Sequence, residues 1–325
     1  MPCLRCIRIG PDEARRFDAY MEKERGASIL QSYAWGDFKA QYGWRPYRLL
    51  VEDGGEVVAG VALLENRDSE GRTFVYSPRG PVLDWDRDRM LLLFLRDHLQ
   101  WWAQEQSWAY WVLDPEWEHS LELENWLHKE GFVLRDEGPF GGIQPRWVWR
   151  IPLSVREEEQ WKALRKGARR QIRKARRHTM RIAFGHEEFL DDLVRVFRCT
   201  EAHQGIRLRD RSYFQGMLAA LRPPGYVTVA MAYWDHQPVA GALLTHYAST
   251  TWDLYAGCDR RLDIGASYML LYACLRYAAR HGQNVYDLGG IVPSDQGGLT
   301  LFKSRFGGHP VQWMGEYRWE FTKGE

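Results

Sequence analysis

The segment 162–181, KALRKGARRQIRKARRHTMR, holds ten lysines and arginines and no acid, in a chain of formal net charge +1. Placed at 100° per residue, Trp161, Leu164, Ala168, Ile172 and Ala175 fall within an arc of roughly 80°, which predicts an amphipathic helix with an apolar back. Lys162, Arg165, Lys166, Arg169, Arg170, Arg173, Lys174, Arg176 and Arg177 cover the other side. Like charges one turn apart repel by a few tenths of a kcal/mol per pair, and merely solvated faces usually mix their signs. The pattern therefore points to a phosphate backbone. RNA, tRNA included, fits better than anionic lipid, because the apolar stripe is narrow and alanine-rich. Arg169, Arg170, Arg173, Lys174, Arg176 and Arg177 are the candidate contacts. Arg79 sits between Pro78 and Gly80, a rigid turn able to aim a guanidinium at an anion or to hold it in a structural salt bridge.

The elements that position these residues come in two similar sets. RPYRLLVEDGGEVVAGVALLENR (45–67) and YVTVAMAYWDHQPVAGALLTHY (226–247) each place two apolar runs around a polar turn, the signature of a hairpin. Both second strands carry Val-Ala-Gly, with Gly60 and Gly241. About thirty residues on, a helical pattern follows in each set, at 90–106 and 268–283. Each then runs into a strand-like segment, WAYWVLDP (108–115) and NVYDLGG (284–290), which carry Asp114 and Asp287. That order predicts an α+β chain made of two copies of one module, and it suggests the GNAT acyltransferase fold. GNAT enzymes grip the pyrophosphate of coenzyme A with a glycine loop at a helix N-terminus. Here RRLDIGASYMLL (260–271) keeps Gly265 but has Asp263 in place of the earlier glycine, and LDWDRDRMLLL (83–93) has no glycine and three aspartates. Carboxylates there repel a pyrophosphate, so neither copy suits acetyl-CoA.

A length of 325 residues suits one large or two medium domains. No apolar run reaches the 18 residues that a membrane-spanning helix needs, and the first residues, MPCLRCIRIGPDEARRF, lack an apolar secretion signal. A cytoplasmic protein is expected. Of the five cysteines only Cys3 and Cys6 form a CxxC, with no second pair to complete a metal site. Reduced, incidental thiols and no metal are the expectation. The 16 tryptophans read mainly as core filler.

Several stretches together resemble the Fem family, the FemA/FemB/FemX-type transferases. They are QSYAWGDFKAQYGWRPYRLLVEDGGEVVAGVALL (31–64), YSPRGPVLD (76–84), IQPRWVWRIPLS (143–154), RRQIRKARR (169–177), YDLGGI (286–291) and GLTLFKSRFGGHPVQWMGEY (298–317). They stand in family order along nearly the whole chain, and the WG-x-x-K and FK-x-x-FGG segments are the most specific. The resemblance implies two tandem GNAT-like domains without a coiled-coil arm. The first would cover 1–147 and be completed by a C-terminal strand at 312–325; the second would cover 148–311 and begin with the basic helix. It implies transfer of an amino acid from aminoacyl-tRNA, as co-substrate and without a cofactor, to the peptide-stem amine of a peptidoglycan precursor. That precursor would be UDP-MurNAc-pentapeptide or lipid II. Phosphate and precursor contacts would fall on Lys39, Arg209, Tyr213 and Tyr255, the transfer pair on Phe302 and Lys303, and the acid of the first module on Asp114. A monomer is expected, with peripheral contact at the inner membrane face if the acceptor is lipid-linked. Two positions depart from the family pattern: Gln171 stands where asparagine is common, and Val148 where threonine is usual.

The residue types fit that chemistry. An aminoacyl ester is already activated, and negative charge develops on its carbonyl oxygen, where a fixed cation such as Lys303 contributes a few kcal/mol. Gly307 and Gly308 would let the backbone approach a ligand closely. Asp114, ending a strand before Pro115, could take a proton from the attacking ammonium or cap the next turn, and Asp287 shares that ambiguity. Lys39, on a helix with Trp35, Phe38 and Tyr42, could meet a diphosphate as a point charge. Arg209 and Tyr213, four apart, could offer a guanidinium and a phenol to one ligand. Two rival readings are a GNAT-like acyltransferase acting on another amine, in a metabolite or a protein, and a non-catalytic RNA-binding protein with degenerate transferase domains.

Overall fold

The structure is a computed structural model that describes residues 3–136, 141–205, 207–294 and 298–322. The chain forms two compact units, residues 1–147 with 312–325, and residues 148–311. The expected α+β, tandem GNAT-like architecture is present.

The first unit runs β1 (Leu4–Arg8), α1 (Ala14–Lys23), α2 (Tyr33–Ala40), β2 (Arg45–Asp53), β3 (Glu56–Arg67), β4 (Thr73–Ser77), α3 (Met90–Gln106), β5 (Trp108–Leu113), α4 (Leu121–Lys129) and β6 (Val133–Arg135). The second runs β7 (Trp147–Pro152), α5 (Glu157–Ala163), α6 (Lys166–Arg176), β8 (Arg181–Gly185), α7 (Leu190–Gln204), α8 (Arg211–Leu221), β9 (Val227–Trp234), β10 (Gln237–Tyr247), β11 (Thr250–Cys258), α9 (Ala266–Arg280), β12 (Val285–Gly290), α10 (Gly298–Ser304) and β13 (His309–Gln312). The chain then returns as β14 (Glu316–Glu320) to the first unit's sheet, ordered β1-β2-β3-β4-β5-β14-β6. The second sheet is ordered β13-β7-β12-β11-β10-β9-β8.

Both predicted hairpins form. Asp53 pairs with Glu56 across Gly54 and Gly55, whose φ values of 58° and 97° suit glycine. Asp235 and His236 take positive φ between β9 and β10. The two Val-Ala-Gly glycines do the same work in each unit. A Cβ on Gly60 would come within 2.6 Å of Met21 Sδ on α1, and one on Gly241 within 2.8 Å of a Leu193 methyl on α7. Each glycine lets a helix lie close on its sheet. Caps fix several helix starts: Ser32 accepts from the Trp35 N–H at 3.0 Å and Asp210 from the Tyr213 N–H at 2.9 Å. Tryptophan does fill the first core, where Trp85, Trp108, Trp111 and Trp117 are buried. The longest helix, α3, has 17 residues, and no helix among the described residues is long and apolar enough to cross a membrane.

The sheets differ at one joint. In the first, β4 stays parallel to β5 along its length, Thr73–Ser77 against Trp108–Leu113. In the second, β11 pairs with β12 only over Thr250–Trp252 and Val285–Asp287. From Asp253 onward β11 keeps only β10, while β12 bends at Leu288 and Gly289, where Gly289 has a φ of 71°. The two strands therefore part as a fork.

The basic segment is two helices rather than one. Leu164 and Arg165 leave the helical conformation with ψ of 137° and 156°, because the Arg165 N–H bonds outward to the Arg305 carbonyl at 2.8 Å. The apolar back survives the break: Leu164, Ala168, Ile172 and Ala175 are buried. Trp161, on α5, is only half-buried and receives the guanidiniums of Arg173 and Arg176 over its ring at 5.7 and 5.0 Å.

Candidate active site

The fork opens onto a cleft of about 620 Å3 in the second unit, walled by β11, α9, α10 and the loop 259–265. Asp253 lies one residue beyond the last paired position, at the apex. Its Oδ2 accepts from the Tyr286 hydroxyl at 3.4 Å, and its Oδ1 is buried with no hydrogen-bond partner. Burial pushes the Asp253 carboxyl up to about 7, against the opposing pull of Lys303. Nothing in the sequence singled out Asp253. Its position depends on where β11 leaves β12, and only the strand register shows that.

Lys303 stands on the other arm. It is 7% exposed, and its ammonium donates to the Gly290 carbonyl, the last residue of β12, at 2.6 Å. Burial pulls it down to about 8, while Asp287 and Asp253 act in the opposite direction. Its neighbour Phe302 lines the cleft and packs edge-on against Tyr268 at 5.0 Å. Tyr268 takes a hydrogen bond from Arg305. The glycines after Lys303 serve the chain itself rather than a ligand. A Cβ on Gly308 would sit 2.1 Å from the Arg150 carbonyl oxygen, and one on Gly307 2.8 Å from that of Ala163. Asp287 accepts from the Gly289 N–H at 2.6 Å and lies 3.6 Å from Arg150, which fixes the bend in β12.

Arg209, Tyr213 and Tyr255 come together. A bulge pairs Leu243 with Tyr255 but Leu244 with Asp253, so these two β11 side chains face opposite sides of the sheet. Tyr255 lies against Phe214 at 5.0 Å on the α7–α8 side. Burial pushes its phenol up, opposed by hydrogen bonds to Tyr213 and Arg209. The Arg209 guanidinium is 5.0 Å from the centre of the Tyr213 ring and is exposed. One cation and two phenols thus form a donor cluster suited to a phosphate or carboxylate.

In the first unit, Lys39 is half-buried with its ammonium 5.5 Å from the centre of the Trp44 ring. Asp114 and Arg79 are brought together but not into an open site. Asp114 is 1% exposed and accepts from the Tyr76 hydroxyl at 2.9 Å and the Arg79 N–H at 2.6 Å. Burial pushes it up to about 7. Arg79, 6% exposed with a φ of 56°, donates to the Pro145 carbonyl at 2.7 Å. Of the two readings the sequence left open for each, Asp114 and Arg79 show the structural one here, as partners in one internal turn. Their polar groups serve each other and the backbone, because burial leaves no solvent to satisfy them.

On α6 and at its C-cap, Arg169, Arg170, Arg173 and Arg177 carry no carboxylate partner among the described residues, whereas Lys174 pairs with Asp263 at 2.7 Å. The stripe is thus not wholly unpaired. Gly265, with a φ of 73°, opens α9 in the position of a GNAT pyrophosphate loop. A Cβ there would lie 2.6 Å from the Gln171 carbonyl oxygen, so this glycine admits α6. The thiols at the other end show no special environment: Cys3 is exposed, and burial pushes Cys6 up to about 12. No cluster of three metal-ligating side chains occurs among the described residues.

Comparison with known proteins matches residues 13–131 to the FemAB family and residues 162–306 to the acetyltransferase (GNAT) domain. The UDP-N-acetylmuramoylpentapeptide-lysine N(6)-alanyltransferase of Weissella viridescens is 24% identical over 94% of this chain and 93% of that protein. A lipid II:glycine glycyltransferase of Staphylococcus epidermidis is 21% identical over 93% of this chain and 90% of that protein. The crystal structure of FemX superposes with a TM-score of 0.89 at 20% identity, covering 97% of both chains. With the first domain matched by the FemAB profile, the second by the GNAT profile and relatives aligned end to end, the chain is similar to FemAB-type proteins and has the tandem GNAT-like fold of FemX throughout.

Proposed function

We propose that this protein is an aminoacyltransferase that adds an amino acid, carried as its tRNA ester, to the peptide-stem amine of a peptidoglycan precursor. The observation that carries the reading is the fork, with Lys303 bonded to Gly290 on one arm and Asp253 at the apex. A GNAT-type fork is where an acyl group and an amine meet. The two aligned relatives are named for transfer to UDP-MurNAc-pentapeptide and to lipid II, which supports such a precursor as acceptor. An ester donor needs no further activation and no cofactor. The amine attacks the ester carbonyl, the bond to the ribose oxygen breaks, and the proton given up by the attacking nitrogen ends on that oxygen, which leaves as the ribose hydroxyl. Lys303, held by its carbonyl partner, provides positive charge for the oxyanion formed on the way.

The donor's phosphates suit the open arginines of α6, and the Arg209–Tyr213–Tyr255 cluster of the second unit suits the precursor's phosphates; Lys39, in the first unit, is a separate candidate phosphate contact. A lipid-linked acceptor would bring the protein to the inner membrane face as a peripheral partner. Acetyl-CoA fits less well. α6 crowds Gly265 in the loop where a pyrophosphate would lie, with the Gln171 carbonyl oxygen 2.6 Å from where a Cβ would be. The test is incubation with a charged total tRNA pool and either UDP-MurNAc-pentapeptide or lipid II, followed by mass spectrometry. A precursor heavier by one aminoacyl residue supports the reading; no product with either acceptor overturns it.

A further inference from the structure

The cleft ends in acceptors that nothing satisfies. Asp253 Oδ1 is buried and unpartnered, and Gln171 Oε1, in another of the lining residues, is likewise buried without a donor. Lys303 donates to the Gly290 carbonyl and not to Asp253. Between them the wall is largely small and apolar, with Ala242, Ala256, Leu270 and Leu271. A buried carboxylate oxygen without a donor is costly, and where it lines a cleft a ligand's donor is one way to satisfy it.

We propose that Asp253 is a substrate-recognition residue, whose free carboxylate oxygen binds a protonated primary amine of a substrate seated in the fork. The inference rests on the transferase reading above and goes beyond it by naming the group recognised. An ammonium answers both features of the site, because it donates without accepting and its charge complements the carboxylate. A hydroxyl meets only the first. Within the proposed reaction two amines qualify: the α-amine of the aminoacyl ester and the stem amine of the acceptor.

Calorimetric titration of the full chain with two matched pairs of probes separates them. One pair is adenosine carrying an amino acid through a stable 3′-amide, with its α-amine free or acetylated. The other is UDP-MurNAc-pentapeptide with its stem amine free or acetylated. The expected result is a preference of about tenfold or more for the free amine within one pair, lost in Asp253→Asn while the acetylated member binds both proteins alike. A general distortion by the substitution would weaken both members together. The pair that shows the effect identifies the amine. Equal binding within both pairs, or a preference that survives in Asp253→Asn, overturns the assignment and leaves the transferase reading standing. No binding by any probe removes that reading and the assignment with it.

Discussion

Lys303 Nζ donates to the carbonyl oxygen of Gly290 at 2.6 Å, tying α10 to the end of β12 where that strand has left β11. One bond thus ties the bent strand to the Phe-Lys helix. Burial pulls the lysine down to about 8, from about 10.4 in an unfolded chain.

That depression makes a stability prediction. Between about pH 8 and pH 10.4 the unfolded chain holds a proton that the folded one has released, so stability contributed at this site rises with pH. Lys303→Met has no such proton. Urea unfolding of both proteins across that range should show wild type gaining on the variant as pH rises. A difference that stays flat contradicts the burial argument.

Asp114 behaves in the opposite sense. Its folded value of about 7 lies above the unfolded carboxyl, so from about pH 4 to pH 7 the folded state holds the extra proton and wild type loses stability as pH rises. Asp114→Asn lacks that loss and should gain on wild type over the same window. Because Asp114 anchors the Arg79 turn, the folded variant should keep its transfer rate within a few-fold. A loss of about a hundredfold in a stably folded variant would restore Asp114 as a base.

The basic helix is tested by salt. Arg169, Arg173 and Arg177 have no carboxylate partners among the described residues, so replacing all three with alanine should weaken tRNA binding. The slope of log affinity against log salt should fall by about 2–3 if each contacts one phosphate. An unchanged slope would leave the stripe merely solvated. Arg176 is the poorer choice, since its guanidinium lies over both the Trp161 and the Tyr272 rings, at 5.0 and 6.0 Å, whereas Arg173 reaches only Trp161, at 5.7 Å.

Gly308 shows what the FGG segment is for. At φ 73°, with a Cβ only 2.1 Å from the Arg150 carbonyl oxygen, Gly308→Ala has to move backbone rather than a flexible side chain. A loss of about 2 kcal/mol or more in unfolding free energy is expected. Wild-type stability in this variant would show that β7 and the segment before β13 yield easily.

The sequence carried the architecture because hairpin turns, Val-Ala-Gly and helix periodicity are local signals. It carried Arg209 and Tyr213 through the family resemblance rather than through their spacing, because Arg209 lies before the Asp210 cap of α8 and is not one helical turn from Tyr213. It could not carry Asp253, whose meaning comes from a strand register and a bulge opposite Leu243 and Leu244. It left Asp114 and Arg79 open between a site and a structural turn. A polar residue at a strand end reads alike whether it faces a cleft or closes a turn, and burial alone separates the two. The helix break at Leu164 escaped for a related reason: the Arg305 carbonyl that captures the Arg165 N–H lies 140 residues away.

The central claim is that the ester is opened at the fork with Lys303 stabilising the oxyanion. Its most direct measurement is the single-turnover rate of transfer from labelled aminoacyl-tRNA to the precursor, for wild type and for Lys303→Met shown to be folded. The account predicts a rate about a hundredfold lower in the variant with donor binding little changed. A near-normal rate in the folded variant would contradict it.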